Sequence, residues 1–113
     1  MAKIKYALLI PLNFQDGSTV PDEVMDQILD DLYVLGAGYT TVGTGKGAYR
    51  MKDGSKQIDH TSVIWIGVEE EQESTLKRLV SEFAHRLGQE SIYLEKTGGT
   101  IEFIPPPSSG EKP

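Results

Sequence analysis

The chain contains no cysteine, which removes disulfides, thiolate metal sites and cysteine nucleophiles. That lack suits a reducing cytoplasm, the compartment expected here. Histidine is scarce: His60 and His85 stand far apart in sequence, so no metal centre is expected. Positive charge is in deficit, with 11 Lys and Arg against 17 Asp and Glu and a formal net charge of −6. The basic residues are also dispersed, which argues against a nucleic-acid surface, because phosphate binding depends on clustered cations. No apolar run approaches the roughly 20 residues needed to cross a bilayer. The opening "MAKIKYALLIPLN" places two lysines before an apolar run. Its stretch "YALLIPL" is nevertheless short for a secretory core, contains Pro11 and precedes no small-residue cleavage site. A cytoplasmic protein with no cofactor, membrane or nucleic-acid partner is expected.

What is present suffices for one core: 38% of the 113 residues are hydrophobic. Residues 3–11, "KIKYALLIP", carry Ile4, Tyr6, Leu8 and Ile10 on one side and Ala7 and Leu9 on the other, the pattern of a central strand. Pro21, with Asp22 and Glu23 after it, opens a helix. Val24, Ile28, Leu32 and Leu35 form its stripe, and Gly36 is the expected stop. A second helix follows from Leu76, Leu79, Val80, Phe83, Ala84 and Leu87 at helical spacing, ended by Gly88. Glu73–Lys77 and Glu82–Arg86 are expected as i, i+4 ion pairs. Strands "SIYLEK" and "TIEFI" flank Gly98-Gly99, read as a tight turn. The tail 105–113, "PPPSSGEKP", is expected to be extended or disordered beyond a single domain over 1–104.

The order β-α-β-β-α-β, with an extra C-terminal strand, resembles the ferredoxin-like or split-βαβ proteins in element order only. The resemblance implies an α+β fold, a mainly antiparallel sheet with two helices on one face. It implies no site residue, because the arrangement serves many functions.

The central hairpin carries the most local information. Asp53-Gly54 suggests a two-residue type I′ turn, which pairs residue i with residue 107 − i. Gly43, Gly45 and Gly47 then share one bare strand face, framed by Tyr39 and Tyr49, with His60 and Ser62 across the hairpin. These seven residues form the candidate pocket, expected on the helix side of the sheet. A phosphate loop is disfavoured, because "GTGKG" leads into a strand instead of a helix. A close helix approach or a bulge is the plainer account of the glycines. The opposite face collects Val42, Lys46, Arg50, Val63 and Trp65, with Asp59 and Thr61, and is the candidate interface for self-association. There Lys46 and Arg50 lie near Asp59. Glu90, Glu95 and Glu102 are read as a solvated acidic surface.

The leading functional expectation is a homo-oligomeric binding or regulatory module. It would hold a small ligand, an anion being one option, near the glycine furrow. Two alternatives are carried. One is a cofactor-independent isomerase, lyase or oxygenase using His60 and Tyr49. The other is a protein-binding adaptor using the Trp65 face.

Overall fold

The computed structural model describes residues 2–107. Strand β1 spans Ala2–Pro11, helix α1 Asp22–Gly36, β2 Thr40–Arg50 and β3 Lys56–Val68. A 3-10 turn, Glu70–Gln72, leads into α2, Glu73–Arg86, and β4 closes the sequence at Tyr93–Glu102. The four strands form one antiparallel sheet in the order β2-β3-β1-β4. Residues 105–107 have no regular structure, and the rest of the expected tail lies outside the described residues.

Alternation decides which face is covered. Along β1 and β3, the pairs Ile4–Val68, Tyr6–Ile66 and Leu8–Ile64 put their side chains on one side. There they bury against Ile28 and Leu32 of α1 and Leu76, Val80 and Phe83 of α2. Among the described residues no helix covers the other face of the sheet, which carries Ala7, Leu9, Val63, Trp65 and Tyr93. The 13-residue β3 extends roughly 43 Å, against about 22 Å for the 15-residue α1, so the β2–β3 hairpin runs past the helices.

The helix ends are built differently from one another. Gly88 takes a left-handed φ of 63°, with Gly88 N–H donating to His85 and Gln89 N–H to Ala84, a Schellman cap. At α1 the left-handed residue is Ala37 (φ 57°) instead of the expected Gly36. Gly36 serves packing: a Cβ there would lie 2.8 Å from Ile66 Cγ1. Between the helices, Gln72 donates to the Leu35 carbonyl at 2.9 Å and accepts from Glu69 N–H at 2.8 Å, fixing the entry into α2.

The expected i, i+4 ion pairs are replaced by tertiary ones. Glu73 pairs with Lys96 of β4 at 3.0 Å and accepts a short hydrogen bond from Tyr6, clamping the start of α2 to β1 and β4. Arg86 reaches Asp31 of α1 at 3.5 Å. Burial and the neighbouring Glu73 push the Tyr6 phenol up to about 12.

Two strand expectations are corrected. The extra C-terminal strand is absent: residues 93–102 are one strand, and both halves pair with β1. Gly98, at φ 77°, sits in a bulge between the Tyr6–Lys96 and Ile4–Thr100 pairs, so its left-handed backbone makes a kink and not a turn.

The hairpin register is the second correction. Met51 N–H donates to the Ser55 carbonyl and Gly54 N–H to Met51, closing a three-residue loop, Lys52-Asp53-Gly54, with Gly54 at φ 86°. This is a type I turn followed by a left-handed glycine. Asp53 Oδ1 holds it by accepting from Ser55 N–H at 2.8 Å and Ser55 Oγ at 2.6 Å. One extra loop residue shifts the pairing, and a one-residue shift moves every side chain across the sheet. Gly47 therefore faces Asp59, Gly45 faces Thr61 and Gly43 faces Val63, while Lys46 faces His60. A bulge at Val42 shifts the pairing by one more residue, so that Thr41 faces Ile64 and Thr40 faces Trp65, where Gly43 and Val42 were expected.

Candidate functional site

The register places the three glycines on the open face, away from the helices, in line with Asp59, Thr61 and Val63. The furrow is not empty. A Cβ on Gly47 would meet Tyr49 Cε2 and Oη at 2.7 Å, so the Tyr49 ring lies folded over Gly47. Gly45 gives the same service on a smaller scale to Thr61, whose Oγ1 would be 3.2 Å from an added Cβ. The aromatic ring covers a glycine that would otherwise leave the ladder bare.

Beside this ring lies a cavity of about 310 Å³, at the end of the open face where β1 leaves and β4 enters the sheet. Leu9, Pro11 and Ile92 give it apolar walls, and Tyr49, Tyr93, Asp59, Glu90, Thr61 and Arg50 bring polar groups. Two loops rim it, and they share one device. Asp16 accepts from Ser18 N–H and Oγ at 2.9 and 2.5 Å, as Asp53 does from Ser55. In both loops the serine bonds hold the aspartate below its ordinary carboxylate range. Phe14-Gln15-Asp16-Gly17-Ser18 and Met51-Lys52-Asp53-Gly54-Ser55 are thus two copies of one turn, contributing Gln15 and Met51 to the rim.

Hydrogen bonds orient the polar groups. Asp59 Oδ1 accepts from Gln57 Nε2 at 2.7 Å, and Glu90 Oε1 accepts from Lys52 N–H at 3.4 Å. Tyr93 donates to Glu95 at 3.2 Å, and that bond, with the Glu95 charge and nearby Tyr49, raises the Tyr93 phenol above its ordinary range. The result is a cleft of two phenols, two carboxylates and one guanidinium, suited to a ligand that carries a cation or hydrogen-bond donors beside an anionic group. Among the described residues, no group of three or more His, Asp or Glu could hold a metal ion.

A second cavity, about 550 Å³, occupies the far end of the open face, between Tyr39, Trp65, Lys3, Lys5 and Ile101. Lys5 Nζ stands 3.5 Å above the Trp65 ring.

The candidate pocket residues are therefore divided. Tyr49 with Gly47 borders the first cavity, and Tyr39 lines the second. His60 and Ser62, expected beside the glycines, instead face Lys46 and Thr44 on the other side of β3 and line neither cavity. The candidate interface divides likewise. Val63 and Trp65 share the open face, Val42 is the bulge residue, Lys46 pairs with His60 on the helix-side face, and Arg50, paired with Lys56 at the strand end, reaches the first cavity. Asp59 takes its hydrogen bond from Gln57, and no lysine or arginine of the described residues forms an ion pair with it. Tyr93, Glu90 and Thr61 had no place in the expected pocket. The repeated Asp-Gly-Ser was the signal that would have brought them together.

No family model and no curated protein sequence matches this chain. Solved structures do. A phage SAM lyase in complex with S-methyl-5'-thioadenosine is similar, with a TM-score of 0.62 at 16% identity, covering 88% of this chain and 85% of that one. The apo state of a phage SAM lyase gives 0.58 at 18%, covering 89% and 86%. The likeness is one of fold. The identity is too low to carry residue roles. Among the described residues, no helix is long and apolar enough to cross a membrane.

Proposed function

We propose that this ferredoxin-like protein is a small lyase-type enzyme that binds an adenosyl sulfonium such as S-adenosylmethionine in the 310 Å³ cavity. The observation that carries the reading is the coincidence of backbone and cavity chemistry. The chain shares its fold with a SAM lyase over 88% of its length, and the cavity on its open face is rich in carboxylates and phenols. A sulfonium carries a fixed positive charge, which carboxylates attract and aromatic faces bind at about 0.5–2 kcal/mol each. Asp59 and Glu90 would supply the first attraction and the Tyr49 and Tyr93 rings the second. As the bond between sulfur and the amino-acid side chain breaks, its electron pair goes to sulfur and the substrate's own carboxylate oxygen closes on the released carbon. The cation thus becomes the neutral thioether S-methyl-5'-thioadenosine, and the amino acid leaves as its cyclic ester. Charge is dispersed in that step, so the apolar walls of Leu9 and Ile92 favour it over a fully hydrated site.

Incubation with S-adenosylmethionine and chromatographic detection of S-methyl-5'-thioadenosine tests the reading. Product formation that falls in Asp59→Asn and Tyr49→Leu supports it. Absence of both product and calorimetric binding sinks it. One observation favours a binding module instead. The phenol that hydrogen-bonding shifts, Tyr93, moves away from neutrality, whereas a general base works best with a pKa near the working pH. Binding of either compound without turnover would select that module. Self-association belongs to the same proposal. The hairpin passes beyond the helices, ends the sheet in the edge strand β2, and exposes Val42 and Ile58 about halfway. Light scattering that shows a strict monomer at micromolar concentration would remove this part.

A further inference from the structure

The 550 Å³ cavity at the far end of the open face has the opposite chemistry to the first. Its charged groups are the Lys3 and Lys5 ammoniums, with the single carboxylate of Glu102 at the rim. Lys3 Nζ is spoken for, donating to the Gly36 carbonyl at 2.7 Å. Lys5 has a different partner. Its ammonium rests on the Trp65 indole at 3.5 Å from the ring centroid, and no carboxylate of the described residues lies within 4.0 Å of it. A half-buried cation held by an exposed aromatic face alone is weakly engaged, because such contacts near solvent are the feeblest of their kind. The floor beneath is closed by design of the backbone. Gly67 has no side chain, and a Cβ there would strike Ile101 Cδ1 at 2.8 Å and Lys3 Cβ at 3.1 Å. Lys3 and Ile101 thus pack low against the sheet, leaving the space above them open between Tyr39 and Trp65.

We propose that this cavity binds a planar aromatic ring carrying one phosphate or carboxylate group, with Trp65 stacking the ring and Lys5 holding the anion. On binding, Lys5 swings off the indole to the anionic group, and the ligand ring takes the face it vacates. The volume lies within the roughly 300–1,000 Å³ of small-molecule sites. Stacking on an aromatic side chain is tolerant of ring identity, so the anion and the ring together define the class. Glu102 at the rim sets the limit on charge: its carboxylate opposes a ligand with several anionic groups. This site is separate from the sulfonium cavity and stands whether or not that reading does.

The chain's single tryptophan makes the test direct, because Trp65 is the only indole reporter. Adenosine 5'-monophosphate, adenosine and inorganic phosphate are titrated against intrinsic fluorescence. The expected result is a saturable change with the monophosphate, about tenfold weaker binding of adenosine, and no change with phosphate alone. Lys5→Gln brings the monophosphate down to the level of adenosine, Lys5→Arg restores it, and Glu102→Gln tightens it. Trp65→Leu, followed by calorimetry, weakens binding of both adenosine and its monophosphate. Asp59→Asn, in the other cavity, leaves every titration unchanged. Equal binding of monophosphate and adenosine, or wild-type affinity in a folded Lys5→Gln, overturns the proposal. So does a fluorescence response abolished by Asp59→Asn, which would place the ligand in the first cavity. A change on dilution with no ligand present would assign the signal to self-association and overturn it too.

Discussion

Gly47→Ala should separate stability from ligand binding. In the structure, the added Cβ would stand 2.7 Å from Tyr49 Cε2 and Oη and 2.9 Å from Cζ. Carbon contacts settle near 3.5–4.0 Å, so the ring edge must retreat by about 1 Å. Tyr49 is 37% exposed, which leaves the ring room to move. Retreat exposes on the order of 30–40 Å² of ring and methylene surface, a loss of about 1 kcal/mol. Replacing a strand-interior glycine by alanine returns about 0.5–1 kcal/mol. The two nearly cancel, and the melting temperature should stay within about 3 °C of wild type. The cavity, however, has one of its two aromatic walls displaced, which for a cation or a nucleobase amounts to up to about tenfold in affinity. Circular-dichroism melts and calorimetric titration with S-methyl-5'-thioadenosine measure the two effects. Gly45→Ala is the control, because its Cβ meets Thr61 and Val63 and not Tyr49. A large fall in melting temperature with unchanged binding would refute the account of Tyr49 lying over Gly47 as a cavity wall.

Gly36→Ala should do the reverse and act on stability. Its Cβ would meet Ile66 Cγ1 at 2.8 Å and the Gly67 carbonyl oxygen at 3.0 Å, both held in the core or the backbone. Overpacking of this kind costs about 1–3 kcal/mol, read as a lower urea midpoint with an unchanged slope. The Tyr6–Glu73–Lys96 clamp predicts losses at both ends of the pH scale. Glu73 is held below its ordinary 4.5 by Tyr6 first and Lys96 second, so its contribution is present above that pH and drains away as pH falls further. Tyr6 titrates at about 12 instead of 10.0, so the fold retains a proton that the unfolded chain releases, and stability falls as pH rises through that interval. Urea midpoints measured across pH check both limbs; Tyr6→Phe should flatten the alkaline one.

The two helices were legible because their information is local. The apolar stripe of α2 and the glycine at its end need no partner to be read, and Gly88 indeed closes a Schellman cap. The alternation of Tyr6, Leu8 and Ile10 likewise announced which side of β1 would be covered. What failed depends on partners elsewhere in the chain. Glu73 had Lys77 within reach along its own helix, but Lys96 of β4 and the buried Tyr6 offered a better-desolvated pairing. Gly98-Gly99 allows a turn or a bulge equally well. Only the continuous partnership of β4 with β1 decides for the bulge.

The site was lost by one residue of register, and the sequence held the means to recover it. Asp-Gly alone serves a two-residue I′ turn or the left-handed end of a three-residue loop. The third residue breaks the tie. A serine after the glycine can give both its N–H and its hydroxyl to the aspartate, as Ser18 does to Asp16 and Ser55 to Asp53. That bonding spans the glycine and stabilises the longer loop. The chain contains Asp-Gly-Ser twice, with an apolar residue two positions before each aspartate, Phe14 and Met51. Reading the repeat as one turn used twice moves Gly47 from His60 to Asp59 and brings the glycine strand onto the open face. The same turn then appears at both rims of the cavity beside Tyr49, so the device that sets the register also shapes the mouth of the site.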